Sequence, residues 1–341
     1  MNFDFTDDQQ AIKRTAHDLL ADRFKPDAVR ELAEGERYDE AHWREIADLG
    51  WAGIFVDERY GGQGLGTVEL VILAEELGYA AAPIPFLSNA AAGLALQHAG
   101  TDAQRDSWLP GIASGEARGA AGLLRDDGAA LVADADSASV IVLIGDGSGV
   151  VLEPSDCEIE PVATIDQTRR FARVTPREGA GEPLGGDVAP ALDRIATLLA
   201  AEIVGVSQHA MEMAIEYARD RQQFGRPIGA YQAVSHRCAD MLREVESSRS
   251  TTYWAAWAAE AEAETLPLAA AMAKAQASDA GWSVTASALQ VLGGIGFTWE
   301  HDLQFFLKRA KVDGALFGSA GEHRERVAQI SGLGTPATAP V

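Results

Sequence analysis

The sequence predicts an α+β protein in which an N-terminal helical domain, a small β domain and a C-terminal four-helix bundle follow one another. Three observations support this prediction. Apolar residues recur at helical spacing over most of residues 1–117, short Val- and Ile-rich runs broken by Gly and Asp occupy residues 118–186, and helical spacing returns over residues 187–332. Residues 333–341 are rich in Pro, Ala and Thr, and we expect them to be disordered.

The N-terminal region begins with a signal for the start of a helix. Thr6 is followed three residues later by Gln9, which is the spacing of a capping box. Further helices are predicted over residues 42–49, 68–78 and 89–98. The glycine-rich residues 58–65 are expected to form a loop without helix or strand, because glycine is poorly held in either.

The β pattern is clearest in two apolar runs, at residues 140–144 and 150–152. Beyond it, the lengths of four predicted helices suit a bundle: residues 189–221, 230–262, 267–292 and 301–315. The first helix carries a buried stripe whose members step by three or four positions: Leu199, Ile203, Val206, Ala210, Ala214 and Tyr217. Gly225 and Pro227 are expected to end this helix just after Arg221.

The composition argues against several classes of protein. Against 28 Lys and Arg stand 51 Asp and Glu, a formal net charge of -23 over 341 residues, which argues against nucleic acid or an anionic membrane as a partner. Cys157 and Cys238 lie far apart and imply neither a disulfide framework nor a metal site. The N-terminus lacks a signal-peptide pattern, and no run approaches the roughly 18 apolar residues of a membrane span, so we expect a cytoplasmic protein.

Residues 221–241 read R-x-x-F-G-x-P-I-x-x-x-Q-A-V-x-H-x-x-A-D-M. This segment resembles the C-terminal domain of acyl-CoA dehydrogenases, the flavoproteins that desaturate acyl-CoA thioesters between the α and β carbons. Other landmarks of that family appear in the expected order: E-R-Y-G-G-Q-G from Glu58, D-Q-T-R from Asp166 and Q-V-L-G-G-I-G-F from Gln290. The resemblance implies the acyl-CoA dehydrogenase fold, with D-Q-T-R forming part of a strand.

The resemblance implies a set of contacts to FAD. In the family, the motif that matches Gln290, Gly293 and Gly294 contacts the ADP part of an FAD held mainly by the neighbouring subunit. Arg221 matches the pyrophosphate partner, a role that suits a permanently charged guanidinium, and Phe224 and Gln232 match the remaining contacts. Taken alone, glycines at the end of a helix favour a glycine C-cap over a phosphate contact, and only the family resemblance reverses that preference.

Other parts of the family pattern are missing. The flavin-ring strand T-E-x-x-x-G-S-D and a later W-I-T-N-like strand have no counterpart, and the β region is shorter by about thirty residues on this comparison. The reaction needs a carboxylate base beside the α carbon, with a pKa raised by burial. Gly318 stands where most of the family has this Glu, and Ile195 stands where a minority has it. We therefore assign no catalytic residue.

Other titratable groups are weaker candidates. Glu202 falls on or beside the buried stripe, and we favour a structural ion pair or an interface contact over a role as base. Glu322 is expected to point elsewhere in the following helix. Asp193 and Arg194 are expected to cap the first bundle helix. Three histidines among charged residues are expected at the surface or an interface: His236, His301 and His323.

The missing and retained features together predict one subunit of a heteromeric acyl-CoA dehydrogenase. The chain resembles the short subunits of actinobacterial α2β2 enzymes that act on CoA thioesters of steroid side chains or rings. A full-length partner subunit would then supply the base and the flavin-ring site, with acyl-CoA as substrate and an electron-transfer flavoprotein as acceptor. Two alternatives remain open: a flavin-free binding or structural homologue, and a homomeric flavoenzyme with Glu202 as base.

Overall fold

The computed structural model describes residues 4–35, 38–145 and 147–333. Helices occupy the chain up to Ser114, strands lie between residues 119 and 183, and helices return from Ala189 onward. The predicted α+β class is confirmed. The domain boundaries at residues 117 and 186 stay predictions. Of the expected disordered tail, only Leu333 is described, and residues 334–341 lie outside the described part of the chain.

Within residues 4–35 and 38–117, the N-terminal region contains six α-helices: α1 Asp7–Arg23, α2 Pro26–Glu34, α3 Glu40–Asp48, α4 Thr67–Tyr79, α5 Phe86–Ala99 and α6 Asp102–Ser114. The capping box is confirmed, since the Thr6 hydroxyl accepts from the Gln9 N–H at 3.2 Å and the Gln9 amide oxygen accepts from the Thr6 N–H at 3.0 Å. Helix α2 was not predicted, although Pro26 at its first position is a typical start.

One expectation for this region is wrong. The glycine-rich residues 58–65 are not free of helix, because Glu58–Tyr60 form a single 3-10 turn. The Asp57 carboxylate accepts from the Arg59 N–H at 3.0 Å and so caps this turn. A local hydrogen bond from an aspartate side chain is sufficient to order a short turn within a glycine-rich sequence.

The β region consists of two small sheets built from seven strands: β1 Gly119–Leu123, β2 Ala130–Ala133, β3 Val140–Gly145, β4 Ser148–Leu152, β5 Cys157–Val162, β6 Phe171–Pro176 and β7 Glu182–Pro183. The first sheet has the order β1-β3-β4-β7, with β1 and β3 parallel, and the second has the order β2-β6-β5. Both apolar runs recognised in the sequence are strands, β3 and β4.

Strand β3 joins the β region to the helices because both of its faces are buried. Ile141 and Leu143 belong to the core between the two sheets. Val140, Val142 and Ile144 belong to the main core, which they share with the N-terminal helices and the bundle. Side chains alternate across a strand, so this double burial explains why β3 is a continuous apolar run without alternation.

The D-Q-T-R sequence is not part of a strand, contrary to expectation. It lies in the turn that precedes β6. The Asp166 carboxylate accepts from the Thr168 N–H at 3.0 Å. This aspartate-centred turn aims Arg169 into the interior rather than along a sheet.

The C-terminal region contains five helices: α7 Ala189–Asp220, α8 Gln232–Ala261, α9 Leu266–Leu292, α10 Leu303–Asp313 and α11 Ala320–Ile330. Helices α7, α8 and α9 pack on one another, and α10 and α11 together take the fourth position. Consecutive long helices run antiparallel. Arg194 near the start of α7 bonds Ala259 near the end of α8, and Arg237 in α8 contacts Ser287 late in α9. The ends of α7 and α9 and the start of α8 therefore lie at one end of the bundle.

Candidate functional site

We call this end of the bundle the hairpin end. It carries the segment between α7 and α8, residues 221–231, and the 3-10 turn Gly293–Phe297 that follows α9. All six residues assigned to FAD lie at this end: Arg221, Phe224, Gln232, Gln290, Gly293 and Gly294. Sequence positions that are about 70 residues apart in the chain are thus brought to the same end by the antiparallel packing of three helices.

Helix α7 ends at Arg221 as expected, and a short β-hairpin follows it. Gln222–Gln223 pair with Arg226–Pro227, and the two central residues both have positive φ, 53° at Phe224 and 80° at Gly225. This is the pattern of a type I′ turn, which glycine accepts and phenylalanine rarely adopts. The Phe224 side chain is 92% exposed at the tip. The sequence predicted the glycine turn and missed the hairpin.

Tyr231 holds the hairpin against the start of α8. Its hydroxyl donates to the Gln223 carbonyl at 3.1 Å, and the Arg226 guanidinium lies 4.1 Å from the centre of its ring. The Ile228 N–H donates to the Arg221 carbonyl at 2.8 Å. The strained phenylalanine is therefore presented by a hairpin that is fixed at its base, and its edge-on contact with Tyr231, at 6.4 Å between ring centroids, leaves it exposed.

The glycine turn after α9 is open. Gly293 has φ 63° and ψ -137°, a conformation that only glycine adopts easily, and its N–H donates to the Leu289 carbonyl, so it is also a helix C-cap. A Cβ atom added at Gly293 or at Gly294 would meet no atom within 4 Å. Packing within this chain does not explain a glycine at 294. The backbone there is accessible to a group from outside.

Three polar side chains of this end make no side-chain contact with another described polar group. Arg221, Gln232 and Gln290 are all exposed, and none has a side-chain hydrogen bond or ion pair with another described residue. A free guanidinium beside open backbone N–H groups suits a diphosphate, which needs charge and several donors. The residues present therefore fit the ADP end of FAD.

Gly318, at which the resemblance predicts the base of most family members to be missing, lies in a turn that is held by a histidine side chain. Gly318 has φ 102°, and a Cβ atom there would lie 2.8 Å from Nε2 of His323. That nitrogen is bound to the Phe317 carbonyl at 3.0 Å. His323 is buried, so the expectation of a surface or interface position is wrong for it, because it holds the turn that replaces the base. His236 is exposed and His301 is half-buried.

A buried lysine fixes the same turn from the other side. Lys274 Nζ donates to the carbonyls of Gly314 and Gly318 at 3.3 and 3.0 Å and to the Ser278 hydroxyl at 3.2 Å. Burial lowers the pKa of Lys274 to about 8. The carbonyl of Gly318 is thus part of a structural contact.

Ile195, which the resemblance matches to the alternative position of the base, is part of the core. Ile195 is fully buried in α7. Its neighbours Asp193 and Arg194 do not cap the helix, contrary to expectation, because both lie a full turn inside it and are buried. Asp193 pairs with Arg326 of α11, and Arg194 donates to the Ala259 carbonyl at 2.6 Å. They connect α7 to its neighbours in the bundle.

Glu202 lies in a buried ionic cluster. Arg169 donates to both Glu202 and Asp313, and Arg309 contacts Glu202 at 3.4 Å and Asp166 at 3.7 Å. All five side chains are almost inaccessible to solvent. This is the structural ion pair favoured for Glu202, since two arginines hold its carboxylate. Glu322, in turn, is the exposed capping-box partner of Ser319 and points away from the cluster.

Asp313 is the third carboxylate of the cluster. Burial, together with the nearby charges of Glu202 and Asp166, raises its pKa to about 8 in spite of Arg169. Neither Asp313 nor Arg309 was singled out from the sequence. The signal was available, because Phe306, Arg309 and Asp313 step by three and four along α10 and so share its buried stripe.

Little space remains where the three regions meet. A cavity of about 20 Å³ lies between α5, the β region and α7 and is lined by residues that include Ser88, Asp134, Arg169 and Phe317. That volume holds about one water molecule. Asp134 accepts from Ser88 and Tyr38, and burial raises its pKa. Within the described part of this chain, the junction has no room for an acyl group.

The described residues also bear on metal binding and on membrane-spanning helices. In the described ranges, no group of three or more His, Cys, Asp and Glu is arranged to hold a metal ion. Among the helices of the same ranges, none combines the length and apolar character needed to cross a membrane.

Comparison with known proteins places the chain in a family. Residues 6–116 match the N-terminal domain and residues 188–331 the C-terminal domain of acyl-CoA dehydrogenases. The chain is 36% identical over 324 residues to the acyl-CoA dehydrogenase IpdE2 of Mycobacterium tuberculosis, covering 94% of this chain and 96% of that protein. It is 34% identical to the acyl-CoA dehydrogenase FadE34 of the same organism, covering 96% of this chain but only 48% of FadE34.

A solved structure supports the same conclusion. A variant of the Tcur3481-Tcur3483 steroid acyl-CoA dehydrogenase superposes with a TM-score of 0.85 at 26% identity, covering 95% of this chain and 98% of that chain. The chain belongs to the acyl-CoA dehydrogenase family, whose members are FAD-dependent oxidoreductases that act on acyl-CoA thioesters.

Proposed function

We propose that this chain is one subunit of a heteromeric acyl-CoA dehydrogenase. It contributes the contacts to the ADP end of an FAD, while a full-length acyl-CoA dehydrogenase subunit supplies the catalytic Glu and the flavin-ring site. Two copies of each would form an α2β2 assembly. FAD supplies the hydride acceptor for desaturation, and the role of this chain is to bind and orient its diphosphate end.

The observation that carries the proposal is the closed turn at Gly318. A positive φ, the contact with His323 and the bond from Lys274 leave no place for a carboxylate at the usual position of the base. The 20 Å³ cavity beside it has no room for substrate. At the hairpin end, by contrast, Arg221 is exposed and the backbone at Gly294 is accessible to a ligand. Only the half of the site that would serve a neighbour is kept.

The relatives suggest the substrate class and the partnership. The Tcur3481-Tcur3483 structure is described as a steroid enzyme and carries two protein names. This chain aligns with about half of FadE34, which leaves room in that protein for a second unit of similar size. We propose a bulky, steroid-derived acyl-CoA as substrate, an electron-transfer flavoprotein as electron acceptor and a cytoplasmic location.

The homomeric alternative with Glu202 as base receives no support from the geometry. Arg169 and Arg309 engage both of its carboxylate oxygens. A base must come within hydrogen-bond reach of the proton it removes, and a buried carboxylate held by two guanidinium groups is not free to approach a substrate carbon. The flavin-free alternative is separated from our proposal by the absorbance measurement described next.

The first test is the visible absorbance of the purified protein. The chain expressed alone should be colourless, and the chain co-expressed with its full-length partner should be yellow, with about one FAD per two chains. Stoichiometric flavin in the chain alone would contradict the proposal, and a colourless complex would favour the flavin-free alternative. In a yellow complex, Arg221→Ala should weaken FAD retention, whereas Arg243→Ala, an exposed arginine of α8 outside the motif, should not.

A further inference from the structure

A second cavity lies farther along α7, towards its C-terminal end, where His209 and Met213 line it. It has a volume of about 170 Å³ and lies between α1, α2, the end of α4, α7 and α10. Its apolar wall includes five side chains: Leu20, Phe24, Val29, Phe305 and Phe306. Three of these five side chains are aromatic. A comparable apolar cavity of about 150 Å³ accepts benzene, so this one has room for a single six-membered ring with a small substituent.

The charged groups around this cavity are satisfied by one another. Glu76 contacts Lys13 and His17, each at 2.9 Å. Asp302 pairs with Arg30, and Lys25 lies 3.2 Å from Asp22. A charged ligand would have to compete with these pairs for its partner. The cavity therefore favours a neutral molecule.

One polar atom at the cavity is left without a protein partner. Nδ1 of His209 lies 2.6 Å from the Tyr79 carbonyl, so it must carry the ring proton and donate it. Burial lowers the pKa of His209, which keeps the ring neutral and leaves Nε2 as a hydrogen-bond acceptor. No described residue bonds Nε2. The ring is held in place between Tyr79 and Phe306, with centroid distances of 4.6 and 4.5 Å.

We propose that this cavity binds a neutral, compact cyclic alcohol of the size of phenol or cyclohexanol, whose ring packs among the phenylalanines and whose hydroxyl donates to Nε2 of His209. The site is separate from the hairpin end and from the closed junction and shares no lining residue with either. It does not depend on the proposed function.

The test uses the purified chain with its methionine methyl groups labelled with 13C. The sequence has five methionines, and of these Met213 lines the cavity. Phenol should shift the Met213 signal in a saturable way and leave those of Met241 and Met272 unchanged. Toluene, which has the ring but no donor, should bind roughly five-fold more weakly, the worth of one hydrogen bond.

Two variants and a control complete the test. Met213→Trp should fill the cavity and abolish binding of both compounds. Because this variant lacks the Met213 signal, its binding is measured by calorimetry. His209→Phe should abolish the preference for phenol over toluene and keep toluene binding, and the exposed His236→Phe should change neither. Equal affinities for phenol and toluene in the unmodified chain, no saturable shift of Met213, or binding that survives Met213→Trp would each overturn the proposal.

Discussion

At the scale of single residues, Gly318 lies in a turn that accepts no larger side chain without strain. Its backbone lies where a side chain is strained, and the space that a Cβ needs is taken by His323. The turn around it is held by Lys274 from one side and by the Phe317 carbonyl contact from the other. Restoring the carboxylate would require the turn itself to change.

Gly318→Glu should therefore destabilise the chain without creating an active enzyme. We expect a loss of about 1–3 kcal/mol in the free energy of unfolding, because the new side chain is strained and displaces His323. Denaturant unfolding measures this loss. The matched control is Gly321→Glu in the first turn of α11, where a Cβ meets nothing closer than 3.8 Å and a carboxylate suits the helix dipole. Equal stability of the two variants would contradict the account.

Asp313 should make stability depend on pH. Its folded pKa is about 8 and its unfolded pKa about 4, so the folded state binds the extra proton between these values. Stability should fall as pH rises through this window, by up to about 1.4 kcal/mol per pH unit, and Asp313→Asn should remove that slope. The free energy of unfolding at several pH values measures it. Asp279→Asn, at an exposed ion pair, is the control and should leave the slope intact.

Residue roles were predictable in part. Arg221 and the glycines of the second loop were found through a motif, and their exposure in the structure agrees with a contact outside the chain. Arg309 and Asp313 belong to no motif. A charged residue can be predicted to be buried only when it is known which face of its helix packs against the core. The partners of Lys274 are backbone carbonyls, which no side-chain pattern reveals.

At the scale of elements, the hairpin after α7 combines strain with exposure. Replacing Phe224 by Asn, which tolerates positive φ, should stabilise the chain by about 1 kcal/mol. The same change should reduce the FAD content of the complex, because the exposed ring is lost. Thermal unfolding of the chain and the flavin-to-protein ratio of the complex measure the two effects. A variant that is less stable, or one that retains full flavin, would contradict this view of the hairpin.

The turn after α9 allows a complementary experiment. Gly294→Leu should leave the stability of the isolated chain nearly unchanged, since its Cβ would point into open space. In the complex, the side chain should block the approach of the diphosphate to the backbone and lower the FAD content. The ratio of absorbance at 450 nm to that at 280 nm reports this loss. Retention of full flavin content would remove this turn from the site.

The long elements followed from periodicity, and the short ones did not. Helices α7, α8 and α9 bury enough apolar residues for the 3.6-residue period to be clear. Helix α2 was missed although its buried residues Val29, Leu32 and Ala33 are at helical spacing, so a signal was present in the sequence. The turn at Asp166 is fixed by a side-chain hydrogen bond and has no period to detect. The hairpin of Gln222–Gln223 and Arg226–Pro227 is shorter still.

At the scale of the whole molecule, the three regions share one core. The main cluster includes residues from α1, from α5, from β3 and from the bundle. We therefore expect a single cooperative unfolding transition, with equal calorimetric and van't Hoff enthalpies. Calorimetry of the chain alone provides the measurement. A separate early transition of the β region would show that the double burial of β3 does not couple it to the helices.

The closed turn at Gly318 has a consequence for how the chain can evolve. On the proposed function, independence from the partner cannot be regained by one mutation, because a glutamate at 318 is unfavourable until His323 and the contact of Lys274 have changed as well. Each of those changes alone loosens the turn. Reversal would therefore require several changes at once. The two genes would have to be kept and transferred together, and loss of either would leave the other without selective value.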